Sequence, residues 1–185
     1  MSSISARDFA EIMWESICEW PPTNGTNVRQ NFSGCFSRST DEVIDELVYF
    51  MAFATDYAFW LQLDKTPHVR DSVRDVFIRD VEHFGKEHRC APFPAGDWLG
   101  DTLMWMPGEM PLDEVPVSNV RRRFELYGRA LSRRHDRSAG ERVAHILAAL
   151  CGTMDIGFIV YATPLFLERW RQVRMVLGSF EIRAS

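Results

Sequence analysis

The stretch that decides the fold class is STDEVIDELVYFMAFATDYAFWLQLD, residues 39–64. It opens with Ser39 and Glu42, whose spacing is that of a capping box at a helix N-terminus. The apolar run that follows contains one acid, Asp56, and neither glycine nor proline. Because Asp56 falls on the same helical arc as Glu42 and Asp45, we expect it at a solvated rim. The stretch predicts one long, largely buried helix.

A shorter amphipathic segment precedes this stretch. Apolar side chains recur at the helical period over residues 6–20. The pair Pro21-Pro22 is expected to stop that helix, since proline cannot donate a backbone hydrogen bond inside a helix. The residues from there to Thr40 are rich in Asn, Gly and Ser. This composition predicts a polar loop between the first helix and the central one.

Helix signals also follow the central stretch, as threonine–proline starts, a second capping-box spacing and glycine stops. The starts are Thr66-Pro67, Ser138 with Glu141, and Thr163-Pro164, and the stops are Gly85 and Gly178. The predicted helices cover residues 67–84, 118–134, 138–161 and 164–178. No segment alternates polar and apolar residues around a hairpin turn. We therefore predict an all-α, single-domain bundle of about six main helices over residues 1–185.

Length and composition agree with a single globular domain. The chain has 185 residues, of which 46% are hydrophobic and 25% charged. The net charge of −5 argues against a generally cationic, nucleic-acid-coating protein. The four cysteines form no CxxC pair, and the first residues lack an apolar signal core. Reduced thiols in a cytoplasm are the expectation.

Two apolar runs are long enough to raise the possibility of a membrane span. Residues 146–167 carry a single charge, Asp155, and residues 47–63 carry Asp56. Gly152, Pro164 and a central acid all disfavour insertion of the longer run. We interpret both runs as buried central helices and expect no membrane association.

The connection from residue 85 to 117 is unusually long for a helical bundle. It holds five of the nine prolines together with several Trp and Met residues. Connections of this length are often functional or packed against the domain. The aromatic residues either cover one end of the bundle or form a partner surface, because Trp and Met are common at protein interfaces. The residues proposed for that surface are Trp98, Met104, Trp105 and Met106.

Asp155 is the acid most expected to be buried. Small residues such as Ala148 and Gly152 surround it on a helical wheel, which would let another helix approach closely. Arg169 lies in the apolar face of the last predicted helix and is the expected partner. A buried acid must be paired or neutralised, so a core ion pair is the first interpretation. A ligand-binding acid is the alternative.

Asp80 and His83 form the one pair with a metal-binding pattern. The spacing Asp-x-x-His places a carboxylate and an imidazole on one helical face, as in di-iron bundles. The sequence offers no second motif of that kind, since Glu141 and His145 have a different spacing. An ion pair from Asp80 to an arginine of another helix is the structural alternative. We expect no resident metal or cofactor.

A basic segment lies at residues 118–142, where eight arginines face three acids. Arg122, Arg129 and Arg133 form a narrow stripe opposite the apolar face of the predicted helix. Such a stripe could bind phosphates or an acidic partner. Glu125 lies at helical contact distance from Arg129, so an internally compensated, solvated face is the alternative.

No catalytic motif emerges from the sequence: it has no phosphate-binding glycine loop, nucleophile elbow or paired-cysteine zinc motif. The leading hypothesis is a non-enzymatic interaction protein, meaning an adaptor, a regulator or a small subunit of a larger assembly. A protein partner or a homo-oligomer is expected. The alternatives are a helical subunit that contacts nucleic acid through the arginine stripe, and a metal- or small-ligand-binding bundle.

Overall fold

The computed structural model describes residues 2–87, 119–132 and 138–184. In chain order its elements are β1 (Ser2–Ser5), α1 (Ala6–Cys18), α2 (Trp20–Phe32), α3 (Thr40–Gln62), α4 (Pro67–Glu87), α5 (Asn119–Ser132), α6 (Ala139–Leu150), α7 (Ile156–Leu177) and β2 (Phe180–Arg183). The all-α fold predicted from the sequence is confirmed.

Helix α3 lies at the centre, as its apolar sequence predicts. Its capping box forms: the Ser39 backbone N–H donates to the Glu42 carboxylate at 2.9 Å, and the Ser39 hydroxyl accepts from the Glu42 backbone N–H. Two hydrophobic clusters share this helix. Phe50 belongs to the cluster with α6 and α7, whereas Tyr49 and Phe59 belong to the cluster with α1 and α4. Both sides of α3 are therefore buried.

The prediction of a polar loop after Pro21-Pro22 is wrong, because helix α2 occupies Trp20–Phe32. The two prolines lie in the first turn of α2. The N–H groups of that turn have no intrahelical partner, so proline is tolerated there. The proline pair therefore separates two helices by starting the second. Further along, Gly85 does not end α4, which continues to Glu87.

The boundary between the last two helices also differs from the prediction. Helix α6 ends at Leu150, where Gly152 adopts φ of 70°, and Asp155 caps the start of α7. Pro164 lies inside α7 and begins no helix. The N–H that it lacks would bond to the carbonyl of Val160, a residue on the exposed side of the helix. Gly178 caps the end of α7 as predicted.

The sequence did not predict a sheet, yet residues 2–5 pair in parallel with residues 180–183. Ile4 aligns with Ile182 in this two-stranded sheet. Both isoleucines, with Phe180, pack against the cluster around α1. The pairing therefore joins the two ends of the described chain on one side of the bundle.

None of the helices in the described part of the chain is long and apolar enough to cross a membrane. The two runs that raised this possibility lie mainly in α3, and in α6 with the first half of α7. In α3 the run is buried as far as Phe59 apart from the half-buried Tyr57, and Trp60 and Leu61 at its end are exposed. The start of α7 has an exposed apolar side.

Candidate functional site

Three strongly exposed aliphatic side chains lie close together in the sequence around the start of α7, and in the described part of the chain no other such group is as exposed. Met154, Ile156 and Val160 are 69%, 75% and 65% exposed, and we call these three residues the apolar patch. Ile156 and Val160 lie one turn apart on the same side of the helix, with exposed Pro164 continuing the row. Large contiguous apolar patches on a soluble protein commonly mark an interaction site.

The patch rests on a rigid aromatic base. Phe158 lies between Ile156 and Val160 in the sequence and is fully buried on the opposite side of the helix. Its ring centroid is 5.6 Å from that of Phe32 and 4.9 Å from that of Phe36. Both contacts have the edge-to-face geometry that aromatic rings favour. Phe32 also contacts the half-buried Tyr161. The outward direction of the patch is thus fixed by packing from α2 and the segment after it.

Hydrogen bonds at the N-terminus of α7 fix the position of the patch. The Asp155 carboxylate accepts from the Phe158 backbone N–H at 2.8 Å, and Thr153 Oγ1 accepts from the Asp155 N–H at 3.0 Å. An N-cap of this kind satisfies one of the free donors in the first turn of a helix. The cap fixes the first turn of α7 and hence the direction of Ile156.

The predicted Asp155–Arg169 ion pair is wrong. Both residues belong to α7, as its N-cap and a residue of its interior, so they are about 21 Å apart along the axis. The prediction placed a helix boundary at Pro164 and therefore folded the two residues against each other. Continuity of α7 through Pro164 removes that contact.

Arg169 is buried nonetheless, and its partners are neutral. Its guanidinium donates to Thr55 Oγ1 and to the Met13 carbonyl, each at 2.8 Å, and to Ser16 Oγ at 2.9 Å. No carboxylate of the described residues pairs with it, and burial lowers its pKa to about 10. Arg169 therefore ties α7 to α1 and α3 through hydrogen bonds.

The buried ion pair of the core is one that the sequence analysis missed. Glu46 of α3 and Arg123 of α5 are 1% and 0% exposed, and Arg123 Nε donates to Glu46 Oε2 at 2.7 Å. Arg38 approaches the same carboxylate at 3.4 Å, and Arg123 lies 5.3 Å from the Tyr49 ring centroid. A usable signal was present, since Glu46 shares a helical face with Phe50 and Arg123 shares one with Tyr127.

The expectation that Asp56 lies at a solvated rim is wrong, because this residue is buried in the C-terminal half of α3. Arg74 of α4 donates to both of its carboxylate oxygens, at 2.6 and 3.0 Å. The guanidinium groups of Arg74 and Arg70 lie over the Trp60 ring, at 4.8 and 4.0 Å from its centroid. The helical wheel placed Asp56 correctly on a polar arc, but α4 covers that arc.

Asp56, Trp60 and Arg74 line an open crevice of about 930 Å³ between α3, α4 and α5. Its volume lies in the range of small-molecule sites. The charges in its wall largely compensate one another, since Asp56 pairs with Arg74 and Glu82 pairs with Arg121 at 2.8 Å. The crevice therefore has no strong preference for either an anionic or a cationic ligand.

The arginine stripe is only partly described. Arg122 and Arg129 are half-buried on α5, and Arg133 lies outside the described residues. Arg129 donates to Glu125 at 2.9 Å, as the helical spacing predicts. With Arg121 paired to Glu82 and Arg123 buried, α5 offers less positive charge to a phosphate backbone than its sequence suggests.

Asp80 and His83 lie on α4, half-buried and exposed respectively. No group of three or more His, Cys, Asp or Glu side chains is placed to hold a metal ion in residues 2–87, 119–132 and 138–184. No ion pair joins Asp80 to an arginine of those residues, although the charge of Arg7 on α1 acts on its carboxylate. Burial raises the pKa of Asp80, and the carboxylate of Glu11 raises it further.

Trp98, Met104, Trp105 and Met106, the residues proposed for a partner surface, lie outside the described residues. Among the cysteines, Cys151 is fully buried. Burial, reinforced by the nearby Glu46 carboxylate, raises the pKa of its thiol well above the ordinary value. A thiol in that environment is a poor nucleophile, because the thiolate is the reactive form.

Comparison with models of protein families, with characterised proteins and with solved structures finds no match to this chain.

Proposed function

We propose that the chain is a non-enzymatic interaction protein that binds a partner protein through the apolar patch of Met154, Ile156 and Val160. The observation that carries the proposal is the exposure of three large aliphatic side chains on a rigid base. A rigid apolar surface binds at a lower entropic cost than one that must first become ordered.

The shape of the patch favours an apolar groove on the partner. Ile156, Val160 and Pro164 follow one another at four-residue spacing, which forms a ridge along the helix surface. A ridge of this type packs into the groove between two helices of another protein. The occupant we propose is therefore a helical partner that presents a groove lined by aliphatic side chains.

The test begins in cells that produce the chain naturally. A photo-crosslinking amino acid at position 160 should capture a specific partner, whereas the same group at Gln172, an exposed position on α7, should not. The captured protein is then purified and its affinity measured by titration calorimetry. Val160→Glu should weaken binding about thirtyfold or more, the behaviour of an interface hot spot.

Gln172→Glu is the matched control, since it adds the same charge to the same helix away from the patch. It should bind as the unmodified chain does. Circular dichroism should show equal helicity for both variants, because both side chains are exposed. Equal affinity of Val160→Glu and Gln172→Glu, or equal crosslinking at both positions, would contradict the proposal.

A further inference from the structure

The small sheet has an edge that the described chain leaves unused. Strands β1 and β2 pair only with each other, so each has a second edge without a strand partner among the described residues. Two-stranded sheets are marginal on their own, and unpaired edges are sites where another strand adds. The outer edge of β2 is therefore a place where a further strand could add.

The side chains of β2 alternate strictly between its two faces. Phe180 and Ile182 are half-buried against the core, and Glu181 and Arg183 are exposed on the outer face. Glu181 and Arg183 have no ion pair with any described residue. The outer face of β2 thus presents one negative and one positive charge, two residues apart.

We propose that β2 pairs antiparallel with β2 of a second copy of this chain, about a twofold axis at Ile182. In that register Ile182 lies opposite itself, and Glu181 of each copy lies opposite Arg183 of the other. Residues directly opposite in an antiparallel pair are close enough for their charges to interact. The result is a continuous four-stranded sheet in the order β1-β2-β2-β1.

Charge complementarity selects this register over its neighbours. A twofold axis at residue 181 or 183 would place identical charges opposite each other, which destabilises a strand pair. Axes between residues are excluded, because directly opposite side chains must share a face of the sheet. The edge of β1 would not favour one register over another, because the side chains on its outer face, Ser3 and Ser5, are uncharged.

The inference is independent of the proposed function. The apolar patch lies around the first two turns of α7, and β2 follows the last turn, about 26 Å from Val160 and about 32 Å from Ile156 along the helix axis. An isologous contact closes on itself, so it yields a dimer and leaves both patches exposed.

The test is a charge-reversal cycle measured by sedimentation equilibrium. The unmodified chain should show a monomer–dimer equilibrium. Glu181→Arg and Arg183→Glu each turn two attractive cross-strand pairs into repulsive ones and should weaken dimerisation about tenfold or more. The double variant Glu181→Arg/Arg183→Glu restores opposite charges and should recover most of the affinity.

The two single variants also control each other. Mixed together, a chain with two arginines faces a chain with two glutamates, so a heterodimer should form where neither variant dimerises alone. Because both side chains are exposed, circular dichroism should be unchanged. A monomeric unmodified chain at all concentrations up to millimolar, or single variants that dimerise as the unmodified chain does, would overturn the proposal.

Discussion

At the scale of single residues, the ion pair of Glu46 and Arg123 dominates the electrostatics of the core. Both side chains are buried, so removing either one takes away the main opposite charge of the other: Arg123 loses Glu46, or Glu46 keeps only Arg38 at 3.4 Å. We predict that Glu46→Gln or Arg123→Met lowers the free energy of unfolding by about 3–5 kcal/mol. The double variant Glu46→Met/Arg123→Met should recover a large part of that loss, as measured by urea unfolding.

Glu125 and Arg129 supply the matched control for this prediction. They form an ion pair of similar length on the surface of α5, with side chains 42% and 30% exposed. Glu125→Gln should cost about 0.5 kcal/mol or less, because solvent screens exposed pairs. Equal losses for Glu46→Gln and Glu125→Gln would mean that the buried pair contributes little to stability.

The raised pKa of Asp80 predicts that the stability of the protein depends on pH. Burial raises its pKa in the folded protein, so the folded state holds the proton more tightly than the unfolded state does. The stabilisation from the neutral carboxyl is therefore present at low pH and is lost as pH rises through the folded pKa. Asp80→Asn should increase the free energy of unfolding at pH 7.

In acid that gain should vanish, because both side chains are then uncharged. Urea unfolding at several pH values measures the difference between the variant and the unmodified chain. A gain for Asp80→Asn that stays constant from acid to neutral pH would show that the carboxylate charge is not its cause.

At the scale of the elements, the turn between α6 and α7 depends on Gly152. Its φ of 70° disfavours any other residue, and a Cβ there would lie 1.8 Å from Ser37 Oγ. We predict that Gly152→Ala destabilises the protein by at least about 1–3 kcal/mol, from backbone strain and the clash. Thermal unfolding followed by circular dichroism measures the change.

Gly128 of α5 is the control for that substitution. No described atom lies within 4 Å of a Cβ built there, and the residue is helical. Gly128→Ala should therefore stabilise the protein by about 0.5–1 kcal/mol, since alanine favours the helix. Destabilisation of similar size at both positions would show that the turn has no particular requirement for glycine at position 152.

The same elements show what a sequence can and cannot predict. The capping box at Ser39 was predictable because its hydrogen bonds join residues three apart. Pro164 misled because proline favours helix starts, while its tolerance inside a helix depends on tertiary surroundings. The strand over residues 2–5 escaped notice because its partner lies at the other end of the chain, and short serine-rich segments have no strand pattern.

The candidate site was less predictable than the fold. The exposure of Ile156 and Val160 is decided by which neighbours leave that side of α7 uncovered, and an apolar run gives no indication of this. The pairing of Asp56 with Arg74 likewise depends on the crossing of α3 and α4. Spacing within one helix therefore identified polar and apolar faces, while contacts between helices assigned their partners.

At the scale of the whole molecule, α7 connects two surfaces of different chemistry. The apolar patch lies around its start, and its last turn leads into the charged edge of β2. A dimer joined at β2 would carry two patches, and a partner displayed densely on a surface would engage both. Linked sites of this kind gain apparent affinity without any new contact.

Substitutions at these two surfaces should have separate effects. Val160→Glu should leave the mass in sedimentation unchanged, because Val160 is about 26 Å along the axis from the end of α7, where β2 follows. Arg183→Glu should leave the affinity of a single patch in solution unchanged, yet lower retention on a partner-coated surface about tenfold or more, because the second patch is lost. If Val160→Glu instead dissociates the dimer, the patch itself is the contact between copies, and the sheet edge would no longer be needed to explain association.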